Sequence, residues 1–148
     1  MGLFDIVNFI PLADNLLTSG QPTETQFADV ARDGVWLVIN LALSTSTSAL
    51  MDEAGTVRAF GMKYVHIPVD WEHPTRENLE KFMDTMDAHA GQKIFVHCVM
   101  NYRASAFVAL WRIRRLGWAP EKAFSAMRRV WNPDEYPTWK EFINQEIQ

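Results

Sequence analysis

The sequence predicts one α/β domain over residues 1–148, with a central, mostly parallel sheet of four to five strands and helices on both faces. Three observations carry this. Strand-like and helix-like periods alternate after the first dozen residues, the strand candidates are near-continuous apolar runs of the kind buried on both faces, and no composition shift or long linker divides the chain. With 148 residues, 48% of them hydrophobic and 12% aromatic, the chain can bury one substantial core.

NLLTSGQ, from Asn15 to Gln21, is the first strand candidate. TETQFADVARDG follows as a short amphipathic helix: Thr23 and Gln26 form a capping-box pattern, Phe27, Val30 and Ala31 share a face, and Gly34 ends it. VWLVINLAL, from Val35 to Leu43, is apolar throughout and partly β-branched, which suits an inner strand. STSTS then reads as a polar loop, residues 48–60 as a weak helix, and KYVHIPV as a second inner strand. TRENLEKFMDTMDAHA places Leu79, Phe82, Met83, Met86 and Ala90 on one helical face, and QKIFVH is the next strand. ASAFVALWRIRRL is apolar nearly all round in its first two turns, as a central helix is, and stops at Gly117. PEKAFSAMRRV and PTWKEFINQEI close the chain as helices. Trp131, Trp139 and Phe142 are expected to dock them onto the core, and the basic runs Arg112–Arg115 and Arg128–Arg129 to be solvated helix faces.

Composition excludes several functions. A formal charge of −4 gives no bulk attraction to nucleic acid or anionic membrane, so neither is expected as a partner. One cysteine excludes an internal disulfide and fits a reducing compartment, and the four histidines show no metal-ligand spacing, so no metal or cofactor is expected. The first residues have no basic n-region and no apolar run long enough to span a bilayer, and a cytoplasmic protein is expected.

The chemistry-bearing stretch is VHCVMNYRAS, from Val96 to Ser105. A lone cysteine is often simply buried, and Cys-x4-Arg alone arises easily by chance. Here strand, cysteine, small loop, arginine and helix fall in the order an oxyanion cradle demands. The backbone N–H groups of Val99, Met100, Asn101, Tyr102 and Arg103 and the positive helix end can meet an anion above Cys98, and Arg103 adds an always-charged planar fork. Such surroundings also favour the thiolate, which is the nucleophilic form.

VHCVMNYRASAF resembles the His-Cys signature loop of the cysteine-dependent protein tyrosine and dual-specificity phosphatases, including compact members with a Ser-Gly-Gln-Pro-like segment, here TSGQPT at 18–23. The similarity runs through GVWLVINLAL and KYVHIPVDWEHPT. The resemblance implies a dual-specificity-phosphatase-like fold and hydrolysis of phosphoric monoesters through a cysteinyl-phosphate. It makes Cys98 the nucleophile, Arg103 the phosphate clamp, His97 the neighbour that orders the loop, Ser105 a hydroxyl able to bond the sulfur, and Asp70 the general acid. It also implies a phosphorylated protein or small phosphate ester as partner, with phosphate or sulfate able to occupy the loop. Gln21 could reach the pocket from the N-terminal segment, and Tyr102 could wall it. Length supports Asp70: a helix from Thr75 to Ala90 runs about 24 Å out and the strand from Gln92 to His97 returns about 20 Å. Glu72 is a rival acid on the same loop.

The sequence departs from that family in one respect. Four residues, not five, separate cysteine from arginine, followed by Ala104 and only then Ser105. Either the loop has lost a residue and the helix gained one, which keeps the clamp, or Arg103 has stepped back and is rotated by about 100°. Asn101 stands where a glycine is usual and tolerates a left-handed backbone. The four-residue spacing also resembles the loop of rhodanese-type sulfurtransferases, and a phosphate-binding pseudophosphatase is a third reading.

Overall fold

A computed structural model describes residues 2–148. The elements in chain order are β1 (Ile10–Ala13), β2 (Leu16–Ser19), α1 (Glu24–Arg32), β3 (Leu37–Asn40), α2 (Glu53–Ala59), β4 (Lys63–His66), α3 (Arg76–Ala88), β5 (Ile94–His97), α4 (Tyr102–Leu116), α5 (Pro120–Arg128) and α6 (Pro137–Glu146), with short 3-10 turns at Leu3–Asp5 and Pro133–Glu135. The sheet order is β1-β2-β5-β3-β4. Strands β2, β5, β3 and β4 are parallel, and β1 pairs with β2 as an antiparallel hairpin at the edge. The α/β class, the mostly parallel sheet and the helix assignments agree with the sequence.

Alternate residues of the inner strands feed two cores. Leu16, Leu37, Ile39, Ile94 and Val96 pack with α3, α4, α5 and α6, where Phe82, Phe107, Trp139 and Phe142 supply the bulk. Leu17, Val38 and Phe95 face the other way, onto Phe27 and Val30 of α1 and Val57 of α2. Helices therefore cover both faces, as the continuous apolar runs require. Helix α4 is buried on nearly every side from Arg103 to Leu110. Trp131, Trp139 and Phe142 are buried, as expected of docking residues.

Three expectations are corrected. The strands are four residues each, shorter than the apolar runs: Leu41 and Ala42 are fully buried but lie beyond the β3 ladder. Strand β1 went unrecognised because IPLADN carries a proline and turn residues, which an edge strand tolerates. Arg112 is buried rather than solvated; it donates to the Leu12 carbonyl (3.2 Å) and lies over the Trp118 ring at 4.2 Å. Its stem packs within the fold, as long cationic side chains can.

The register aligns one row of polar residues at the carboxyl ends of the inner strands. Ser19 pairs with His97, His97 with Asn40, and Asn40 with His66. β5 stands between β2 and β3, so the loop that leaves it emerges at the middle of this edge, where parallel sheets gather ligands. No helix among the described residues is long and apolar enough to cross a membrane.

Candidate active site

Cys98 follows the last residue of β5 and is buried, its backbone N–H donating to Ser19 O (3.3 Å). The chain then turns in four residues. Asn101 takes the left-handed conformation (φ 69°, ψ 6°) as N-cap of α4, so the helix begins at Tyr102 and Arg103 occupies its first turn. Only a residue tolerant of positive φ fits there, and asparagine is the usual non-glycine choice.

The shortened loop is held from the N-terminal side. Asn8 Nδ2 donates to Met100 O (2.9 Å), and Asn101 Nδ2 donates to Asn8 O (2.9 Å) and to Thr18 Oγ1 (3.0 Å). Gln21 N donates to Val99 O (2.9 Å), and Gly20 bridges Met100. A Cβ at Gly20 would fall 2.3 Å from Val99 O and 3.1 Å from Met100 Cα, so any side chain there pushes the loop outward. That explains the glycine of TSGQPT on steric grounds.

Arg103 points inward. It is buried, and its Nη1 donates to Val69 O at 2.8 Å. The guanidinium is thus turned into the fold and not out to solvent. Cys98 and Arg103 line one cleft of about 250 Å³ with Trp71, Val99, Met100, Tyr102 and Tyr136. Its wall is aromatic: Tyr102 stacks on Trp131 (5.0 Å between centroids), and Trp71 meets Tyr102, Trp131, Tyr136 and Trp139. Trp139 Nε1 donates to Trp71 O (2.8 Å), which ties the segment after β4 to α6.

Asp70 follows the residue on which Arg103 is docked. Its Oδ1 accepts from Glu72 N (2.9 Å), its backbone oxygen accepts from His73 N (3.1 Å), and its Oδ2 lies 3.7 Å from His73 Nδ1. Its side chain is half exposed and does not line the cleft, and Glu72 is exposed as well. Asp70 therefore caps its own turn while remaining open to solvent.

The other expected residues fall as follows. His97 is fully buried behind the loop, with Nδ1 3.1 Å from Cys98 O and Nε2 2.7 Å from Glu53 Oε2. Gln21 lies outside the cleft lining; its Nε2 donates to Glu53 Oε1 (2.7 Å) and Pro22 O (3.0 Å), and it meets the loop through its backbone. Ser105 Oγ donates to Tyr102 O (3.1 Å) and accepts from Trp131 Nε1 (3.1 Å), so its hydrogen is directed to the backbone and not to sulfur. Glu53 was not anticipated. It sits in the first turn of a helix whose sequence, MDEAGT, looks like a solvated surface, yet the carboxylate is buried. Burial alone would push that carboxyl up, but the charge and hydrogen bond of His97, with the Gln21 and Tyr64 hydrogen bonds, outweigh it and hold it below its usual value. Burial, with the Glu53 charge beside it, pushes the Tyr64 phenol well above its usual value.

Residues 12–143 match the family described as DSP-PTPase phosphatase fused to NAD+ kinase. No curated protein matches the chain. A DUF442 protein of Shewanella putrefaciens CN-32, assigned as a candidate phosphatase, has 39% identity to it, with 97% of this chain and 93% of that one covered and a TM-score of 0.89. Tk-PTP in its active form superposes with a TM-score of 0.77 at 20% identity, covering 95% of each chain. TpbA of P. aeruginosa, in complex with pTyr, superposes with a TM-score of 0.73 at 15% identity, covering 95% of this chain and 88% of its own.

Proposed function

The chain belongs to the DSP-PTPase phosphatase family, and on that footing we propose that it hydrolyses phosphoric monoesters through a phosphoryl group carried on Cys98. One observation carries the reading: Cys98 and Arg103 line the same cleft at the end of the central strand, and Arg103 is docked on the backbone one residue ahead of Asp70.

The Cys98 thiolate attacks phosphorus in line. The S–P bond forms as the P–O bond to the leaving group breaks, and Asp70 gives its proton to that oxygen. Asp70, now a carboxylate, takes a proton from water; the water oxygen attacks phosphorus, the S–P bond breaks, and the thiolate and inorganic phosphate are released. With Nη1 of Arg103 bonded to Val69 O, the Nε–Nη2 edge of the guanidinium is the fork offered to two phosphate oxygens. The loop amides supply the remaining donors. Charge stabilisation from a preorganised cradle of this kind is usually the largest contribution.

The cleft also favours a class of substrate. Val99, Met100, Asn101 and Tyr102 are uncharged, so one guanidinium faces one phosphate, and Trp71, Tyr102 and Tyr136 form the wall. A monoester dianion with a flat aromatic group, as in phosphotyrosine, fits better than a polyphosphate, which would leave added negative charge unpaired. TpbA, of the same fold, has been seen with pTyr.

The test is an assay of the wild-type protein with an aryl phosphate and, separately, with thiosulfate and cyanide. The expected result is phosphate release without thiocyanate. Thiocyanate alone would replace the reading with a sulfurtransferase, and phosphate binding without either product would leave a pseudophosphatase. Arg103→Lys should lower kcat/KM for the aryl phosphate by about 10²- to 10³-fold, because a point charge replaces the planar fork. Steady-state kinetics on the folded variant checks it.

A further inference from the structure

A second cavity, of about 410 Å³, lies at the amino ends of β2 and β5, between the end of α3 and the last turns of α4. It shares no lining residue with the cleft at Cys98, and the run of β5 from Ile94 to Cys98 separates the two by about 13 Å. Its size is that of a small-molecule site. Leu16, Met86, Ile94, Trp111, Leu116 and Trp118 give it an apolar wall, and the buried Arg112 forms part of the lining. The charge of Arg112 has no counter-ion. On the same helix Arg114 pairs with Glu146 at 2.7 Å, and Arg115 pairs with Asp84 at 3.1 Å and with Asp87. Those two arginines reach solvent, whereas Arg112 is 6% exposed and pairs with no carboxylate among the described residues. Asp87, the acid of the cavity, is committed to Arg115 and to the indole N–H of Trp111 (2.9 Å). Arg112 Nη2 donates to Leu12 O at 3.2 Å, and its Cζ lies 4.2 Å from the centre of the Trp118 ring. Stacking occupies the face of a guanidinium and leaves its in-plane N–H groups to other partners. Those on Nε and Nη1 have no acceptor among the described residues. Burial pushes the guanidinium below its usual value, with no acidic neighbour to oppose the shift. Buried charges in proteins are otherwise paired.

We propose that this cavity is a second binding site, for a small monocarboxylate with an apolar or aromatic body, its carboxylate on Arg112 and its body against Trp111, Leu116 and Trp118. A carboxylate matches the planar edge of a guanidinium and supplies the missing charge. The body covers apolar wall that is otherwise left to water. One cation selects one negative charge, and Asp87 on the same cavity disfavours a second. A phosphate dianion or a nucleotide therefore fits poorly, which sets this site apart from the one at Cys98.

The test titrates the wild-type protein with hydrocinnamate, with its neutral amide and with inorganic phosphate, while the backbone and indole N–H resonances are followed. Hydrocinnamate should shift the signals of Gln92, Trp111 and Trp118, and the amide should bind at least about ten-fold more weakly. Phosphate should leave those signals in place. Arg112→Gln should weaken the carboxylate by about the same ten-fold or more. Arg112 also holds the Leu12 carbonyl, so a second variant guards against loss of the fold. Ala90→Phe fills the cavity from an exposed position with Arg112 untouched, and it should abolish binding while the melting temperature stays near wild type. Cys98→Ser should bind hydrocinnamate as the wild type does, so the result stands apart from the chemistry at the cleft. Equal affinity for acid and amide, shifts confined to the residues around Cys98, or no shift at millimolar hydrocinnamate would overturn the proposal. Self-association in sedimentation runs, with Trp111 and Trp118 signals that move on dilution, would assign the cavity to a second copy of the chain instead.

Discussion

Cys98→Ser should reduce phosphate release from an aryl phosphate to the solution background, a loss of about 10⁴-fold or more. The fold should survive the change. The cysteine is anchored through its backbone N–H to Ser19 O and its carbonyl to His97 Nδ1, and neither bond involves sulfur. Serine is a close steric match, so thermal stability should move by only about 1 kcal/mol. Arg103, its contact to Val69 O and the loop amides stay in place. The variant should therefore still bind phosphate while failing to turn over, and calorimetry beside the kinetic assay checks both. Loss of phosphate binding together with activity would mean that the substitution disturbed the loop and not the nucleophile.

Asp70→Asn should give the second large loss, about 10²- to 10⁴-fold in the phosphorylation step for esters with poor leaving groups. For a nitrophenol leaving group, which departs without protonation, the loss should be small. Asparagine keeps an acceptor for Glu72 N, the bond by which Asp70 holds its own turn, so the substitution isolates the proton from the loop geometry. Glu72→Gln is the control. Its carboxylate is exposed, and it should leave the rate near wild type. A series of leaving groups measured under single-turnover conditions separates the two acids, and equal losses across the series would remove Asp70 from the mechanism.

Much of this was written in the sequence, and the parts that were not have physical reasons. The mostly parallel sheet and the strand, loop and helix around Cys98 followed from continuous apolar runs alternating with amphipathic helices, because burial on both faces forces that pattern, whereas the order of the strands did not. Strand ends did not follow, since Leu41 and Ala42 are as apolar as the ladder but are buried by other contacts. The direction of Arg103 was also undecided. Both a shortened loop and a rotated arginine satisfy the same letters, and the choice depends on the left-handed backbone of Asn101 and its bonds to Asn8 and Thr18, far away in the chain. Ser105 counts to the expected position, yet Trp131 and the Tyr102 carbonyl compete for its hydroxyl. Glu53 carried no local signal at all. The only hint was topological, since its helix follows the loop leaving β3, whose carboxyl end lies beside His97.

The central claim is that the phosphoryl group passes through the sulfur of Cys98. The direct measurement is mass spectrometry of the protein quenched in acid during turnover of an aryl phosphate, with peptides mapped under conditions that preserve thiophosphate. A phosphoryl group on the peptide carrying Cys98, absent from Cys98→Ser, is the predicted result. Phosphate release with no adduct on Cys98 at any quench time, or a sulfur adduct in its place, would contradict it.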